Sequence, residues 1–155
     1  MKTKFNYNNP LCIIDSISKC IKSSYVYTEC KLFPGTNEKP VTDYDSGNVD
    51  MCIYTADRVD GIRAEIYIRY RSLKNTYEVA LSLLYGEGTD ARRDEFVLYE
   101  LQFGTNDIIT VYWYGAQCGE STAEWVRENS SLVVPMLAEA YGMKVIWRER
   151  GCCES

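Results

Sequence analysis

The ten residues IRAEIYIRYR, 62 to 71, alternate without a break. Ile62, Ala64, Ile66, Ile68 and Tyr70 fall on one side of an extended strand; Arg63, Glu65, Tyr67, Arg69 and Arg71 fall on the other. A helix would scatter these residues around its circumference. The pattern therefore predicts a strand with one buried face and one wet face, as antiparallel sheets have. Neighbouring segments extend the theme. YVYTECKLF (25–33), VDMCIYTA (49–56), TYEVALSLLY (76–85), EFVLYELQF (95–103) and IITVYWY (108–114) are rich in β-formers. Pro34-Gly35, DRVDG, Lys74-Asn75, GEGTDARRD and GTND separate them as turns or loops. In 76–85 and 95–103 the alternation is looser. Leu84, Phe96 and Leu98 fall on the minority faces, which predicts strands covered on both sides.

Helical patterns flank the strands. Asn9 is suited to cap a helix whose first position is Pro10, where the missing N–H costs nothing. Leu11, Ile14, Ile17 and Ile21 recur at helical spacing, Lys19 and Lys22 suit the C-terminal end of the dipole, and Ser23-Ser24 closes the segment. Further on, Ser121 and Glu124 form a capping box, and Gly142 is a C-terminal cap after Tyr141. Pro135 inside this span predicts a kink, or a division at Ser130-Ser131. MKVIWRER (143–150) adds a last short strand. No βαβ rhythm is visible, which argues against a doubly wound parallel sheet. The expected fold is one α+β domain over residues 1–155. Its core would be an antiparallel meander of about five or six strands, with an N-terminal and a C-terminal helix packed on one face. Residues 34–48 form a long acidic loop in this scheme, and 150–155 a flexible tail.

Composition narrows the chemistry. The chain contains no histidine, which removes Ser-His and Cys-His nucleophiles and imidazole metal sites. Its net charge of −5 opposes direct nucleic-acid binding and favours basic protein partners. Seven cysteines, Cys12, Cys20, Cys30, Cys52, Cys118, Cys152 and Cys153, include no CxxC pair, so reduced thiols are expected. The start, MKTKFNYNNP, lacks the apolar core of a secretion signal, and no apolar run approaches the ~18 residues of a membrane span. A cytoplasmic location is expected, without membrane contact. The C-terminal Cys152-Cys153-Glu154-Ser155 has the frame of a prenylation signal, but Glu154 is not aliphatic.

Four stretches could carry a site. VTDYDSGNVD (41–50) places Asp43, Tyr44, Asp45 and Asp50 around a Ser-Gly-Asn turn. A calcium loop of the EF-hand kind needs glycine at its sixth position and glutamate at its twelfth. Counting from Asp43, Gly47 comes one early and Tyr54 stands at the twelfth, so a solvated turn or an acidic surface toward a basic partner is a better reading than a metal loop. The arginine row Arg63, Arg69 and Arg71, with Arg58 and Lys74 nearby, could hold an anion; as a solvated strand face it would pair with Glu65 and Glu78. Tyr112 and Tyr114 face away from Trp113 and offer a recognition surface with little entropic cost. Glu95 and Glu100, with Glu78 or Asp107, could form a carboxylate pair, although 22 acids make such pairs common by chance.

Together these features predict a non-catalytic binding protein without cofactor or metal. Its function would be to inhibit a basic, nucleic-acid-handling partner, as toxin-immunity proteins and phage anti-defence inhibitors do. Asp43, Tyr44, Asp45, Asp50, Arg69, Arg71, Tyr112 and Tyr114 are its candidate contacts. A small-ligand binder, or a protein of the secretion-chaperone kind, is the alternative. A homodimer fits either, and an enzyme working with carboxylates and arginine is the remaining class.

Overall fold

Asn9 does cap the first helix: its side-chain oxygen accepts the Cys12 N–H at 3.3 Å, and α1 runs Pro10–Lys22. The computed structural model describes residues 7, 9–22, 33–34, 39–57, 63–86, 92–114 and 120–149. After α1 come β1 (Phe33–Pro34), β2 (Val41–Thr42), β3 (Val49–Asp57), β4 (Arg63–Arg71), β5 (Thr76–Tyr85), β6 (Arg92–Phe103) and β7 (Ile108–Trp113). A long helix α2 (Glu120–Tyr141) and a final strand β8 (Lys144–Glu149) follow. The fold is thus mixed α+β, an open eight-stranded sheet with two helices.

The sheet order is β1-β3-β4-β5-β6-β7-β8, with β2 also paired to β3. Strands β3 to β7 form the expected antiparallel meander. Two expectations need correction. The sheet has eight strands, more than the five or six expected, partly because two-residue strands such as β2 leave no periodic signal. It is also not wholly antiparallel, since β8 pairs with β7 in parallel, Ile108 beside Lys144 and Trp113 beside Glu149. A parallel neighbour needs a long crossover, and the 22-residue α2 supplies it. The second helix is therefore internal to a β7-α2-β8 unit and does not end the fold.

Local chemistry explains the boundaries. Gly142, at φ +67, ends α2 in a Schellman motif: its N–H donates to the Glu139 carbonyl at 3.3 Å and Met143 N–H to that of Ala138 at 2.9 Å. Pro135 sits within α2 without dividing it. Helix α2 starts at Glu120, so Ser121 lies in its first turn. The loose alternation of β6 has a local cause. Val79 faces Tyr99 and Ala80 faces Val97, so Leu98 is an extra residue in a bulge. The bulge shifts the phase of the strand, and this slip, not cover on both sides, accounts for Leu98 reaching the core.

The core joins both helices to one sheet face. Ile13, Ile14, Ile17 and Ile21 of α1 meet Ile66, Ile68, Val79, Tyr99, Leu101, Ile109 and Val111 of the sheet and Val133, Val134 and Leu137 of α2. Each such aliphatic side chain contributes about 1.5–3 kcal/mol on burial. The two helices touch; α1 also lies on β3 and β4, and α2 on β6 and β8. Among the described residues, no helix is long and apolar enough to cross a membrane. Most of the strand expected over 25–33 lies outside the described residues, as do Cys30, Arg58, 87–90, Cys118 and the tail 150–155.

Candidate functional site

The acidic stretch is a hairpin tip. Val41 and Thr42 pair with Asp50 and Val49, so β2 and β3 close around residues 43–48. Within the long acidic loop expected over 34–48, Val41 and Thr42 therefore form a strand, while 35–38 lie outside the described residues. Asp43 N–H donates to the Asn48 carbonyl at 2.8 Å, and Gly47 N–H to that of Asp43 at 2.7 Å. The Asp43 carboxylate accepts Asp45 N–H at 3.0 Å, and the Ser46 hydroxyl accepts Asn48 N–H at 3.1 Å. Gly47 adopts φ +79, a left-handed geometry that glycine takes without strain. A second turn, 72–75, buttresses the first. Ser72 donates to Asn48 Oδ1 from its N–H at 2.9 Å and its hydroxyl at 3.1 Å, and its hydroxyl also reaches the Ser46 carbonyl.

This frame holds apolar groups out in solvent. Tyr44 is 92% exposed, Leu73 of the second turn is fully exposed, and Val41 is exposed as well. Asp43 and Asp45 flank Tyr44, and neither forms a salt bridge among the described residues. Among those residues, no group of three or more His, Cys, Asp or Glu side chains is arranged to hold a metal ion.

The sheet face opposite the helices carries the other candidates. Asp50, Arg69, Glu78, Glu100 and Tyr112 are successive register neighbours across β3, β4, β5, β6 and β7. Arg69, with a side chain only 9% exposed, forms two hydrogen bonds to Glu95 at 2.9 and 2.7 Å. Its Nε faces Asp50 Oδ1 at 3.3 Å as an ion contact without hydrogen-bond geometry. Arg69 also lies over the Tyr67 ring, 4.9 Å from the centroid. Arg71 meets Glu78 at 3.4 Å. Arg93 meets Glu65 at 3.2 Å and donates to Ser82 at 2.7 Å, while the Tyr67 hydroxyl donates to Glu65. Arg69 and Arg71, expected on a solvated row, are therefore wholly or partly buried, and their charges are met by carboxylates within the sheet.

The pKa shifts follow from these contacts. The hydrogen bonds from Arg69, aided by the charges of Arg69, Arg93 and Arg71, hold Glu95 below the usual carboxylate range against the opposing effect of burial. Burial, then the hydrogen bond and charge of Glu65, push the Tyr67 phenol up to about 12. Burial likewise raises the Cys20 thiol. Cys12, exposed, and Cys52, half-buried, form no disulfide among the described residues.

Tyr112 and Tyr114 are half-buried, and Trp113 belongs to the core. The Tyr114 hydroxyl donates to Glu100 at 3.3 Å, so both tyrosines neighbour that carboxylate. The eight candidates thus fall into three places: the tip (Asp43, Tyr44, Asp45), the ion-paired face (Asp50, Arg69, Arg71) and the far end of the same polar row (Tyr112, Tyr114). Arg93 was not among the candidates read from the sequence, and Glu95 was considered only as part of a carboxylate pair. Their alternation with Val97 places them on one face, but nothing in the sequence names their partners. Comparison of the chain with known protein families, curated proteins and solved structures finds no match.

Proposed function

We propose that the protein is a non-catalytic, acidic protein-binding module whose contact surface centres on Asp43, Tyr44 and Asp45, with Leu73 in the adjoining turn. The observation that carries this reading is Tyr44, 92% exposed at the tip of a turn fixed by backbone and side-chain hydrogen bonds. A rigid exposed tyrosine brings large contact area at little entropic cost, which is how binding hot spots are built. The flanking carboxylates select a basic partner and speed its approach. A net charge of −5 acts in the same direction. A nucleic-acid-handling protein is the expected partner class, inhibited by occupation of its basic surface. The ion-paired sheet face supports a non-catalytic role, because its arginines are already engaged by carboxylates of the chain itself.

The test compares the immobilised wild-type chain with a variant carrying Asp43→Asn, Tyr44→Ala and Asp45→Asn, in host lysate over a salt series. A basic protein retained by the wild type, released by salt and lost with the variant at unchanged melting temperature supports the proposal. Equal retention by both chains overturns the assignment to the tip. Turnover of a small molecule by the purified chain overturns the non-catalytic reading.

A further inference from the structure

At the opposite edge of the sheet from β2, strand β8 is paired on one side only; among the described residues nothing pairs with its outer edge. A regular strand with a free row of N–H and C=O groups is a template for another strand. β8 is regular, its register with β7 running from Lys144 to Glu149 without a shift. Two of its side chains are unusual for a guarded edge. Ile146 is 40% and Trp147 48% exposed, on opposite faces of the sheet by alternation.

Lys144, Ile146 and Arg148 share one face. Their register neighbours on β7 are Ile108, Thr110 and Tyr112, none of them acidic. Neither Lys144 nor Arg148 forms a salt bridge among the described residues, whereas Arg69, Arg71, Arg92 and Arg93 each meet a carboxylate. An anionic chain therefore carries, on its open edge, two uncompensated cations on either side of an exposed isoleucine.

Charge decides what could pair there. A second copy docked antiparallel about a two-fold axis through Ile146 sets Lys144 opposite Arg148 twice, and like charges directly opposite are destabilising. Moving the axis to Trp147 sets Ile146 opposite Arg148 twice. We infer that the β8 edge accepts an extended segment of another protein with the pattern acid-x-apolar-x-acid. The acids face Lys144 and Arg148, the apolar residue faces Ile146, and one intervening residue lies against Trp147. The pattern reads the same in both chain directions, so it fits parallel or antiparallel addition. This site is separate from the tip and does not depend on it.

The test is a titration of the isotopically labelled full chain with the capped peptide TETVTET, with TKTVTKT and TETPTET as controls. Expected are amide shifts and slowed hydrogen exchange confined to Lys144–Arg148, binding that weakens with salt, and affinity for TKTVTKT lower by about tenfold, as two cross-strand charge pairs imply. The proline peptide should bind weakly or not at all. A K144E/R148E variant should reverse the preference between the two charged peptides. The proposal is overturned by the absence of β8 protection with TETVTET, by equal affinity for the lysine peptide, or by β8 protection that grows with protein concentration without peptide. The first would make Lys144 and Arg148 simple guards against edge pairing, and the last would make the edge a self-association surface. The wild-type comparison of peptides decides the matter even if the variant does not fold.

Discussion

Arg69 of β4 clasps Glu95 of β6 across the intervening strand β5, Nη1 to Oε2 at 2.9 Å and Nη2 to Oε1 at 2.7 Å. The guanidinium is nearly buried while the carboxylate is 41% exposed, so the pair sits at the boundary between sheet and solvent. Bidentate geometry makes it stronger than an ordinary surface pair. Removing Glu95 leaves Arg69 with Asp50, through a contact that lacks hydrogen-bond geometry, and with the charge of Glu78 beside it.

Glu95→Gln is therefore expected to destabilise the protein at neutral pH by about 1–2 kcal/mol, well below the loss from breaking a fully buried pair because solvent screens Glu95. The pH dependence follows from the depressed carboxylate. Its folded-state pKa lies below the unfolded value, so its stabilisation is complete above the unfolded value of about 4.3 and is lost as pH falls through the folded one. Urea unfolding of both proteins from neutral to strongly acidic pH should show the gap closing at the acid end. A gap that stays constant would mean that Glu95 acts by packing and not by charge.

The strands around this pair were the most legible part of the chain. Strand β5 has the predicted limits, residues 76 to 85, and β4, described from Arg63, ends at the predicted Arg71, because period-two alternation and the Lys74-Asn75 turn are local signals. Asn75 takes φ +52, a conformation that asparagine tolerates. Non-local facts were not legible. KVIWRE is a strand by composition, but its parallel pairing depends on a crossover that no short window contains. The bulge at Leu98 is visible in the sequence only as broken alternation. At the site, the acids of the tip were visible, but their rigidity depends on Ser72, which is 24 residues from Asn48. The neutralised arginine face depends on Glu95 two strands away.

Alkaline pH probes the Tyr67–Glu65–Arg93 cluster. The Tyr67 phenol is pushed up to about 12 by burial and by Glu65. Its folded-state pKa exceeds the unfolded value, so the associated stability is intact below about pH 10 and is lost as pH rises through the folded value. Burial also raises Tyr77 and Tyr99. Phenolate absorbance should therefore show a class of tyrosines that ionises later than free phenol. Tyr67→Phe should cost about 1–2 kcal/mol at pH 7, because the buried Glu65 loses a donor, and that cost should shrink in strong alkali. An unchanged late-ionising class in Tyr67→Phe would contradict the assignment.

Gly47 tests whether the tip is held rigidly. An added Cβ would lie 3.4 Å from the Ser72 Cβ, an ordinary contact, so space is not the obstacle. The backbone is the obstacle, since φ +79 disfavours any L side chain by about 1–2 kcal/mol. Gly47→Ala should lower stability by about that amount and speed hydrogen exchange at the Ser72 amide, which Asn48 holds. Tyr44→Ala, in contrast, removes a side chain in open solvent and should change stability by less than about 0.5 kcal/mol. If Gly47→Ala left both stability and Ser72 exchange unchanged, the two turns would not be coupled.

Pro135 should be a correctable flaw in α2. It lies in the helix interior on the exposed side, with Val134 and Leu137 buried around it. Proline there cannot donate to the Ser131 carbonyl, and its ring crowds that turn, a cost of about 3 kcal/mol in a helix interior. Its rigidity in the unfolded chain offsets about 0.4–1 kcal/mol of this. Pro135→Ala removes no core contact, so a net gain of about 2–2.6 kcal/mol is expected, seen as a higher urea midpoint at unchanged slope. The alternative is that the helix bends at this residue so that Val133 and Leu137 both reach the core. In that case Pro135→Ala would straighten α2, loosen the packing of α1 against it, and lower the midpoint.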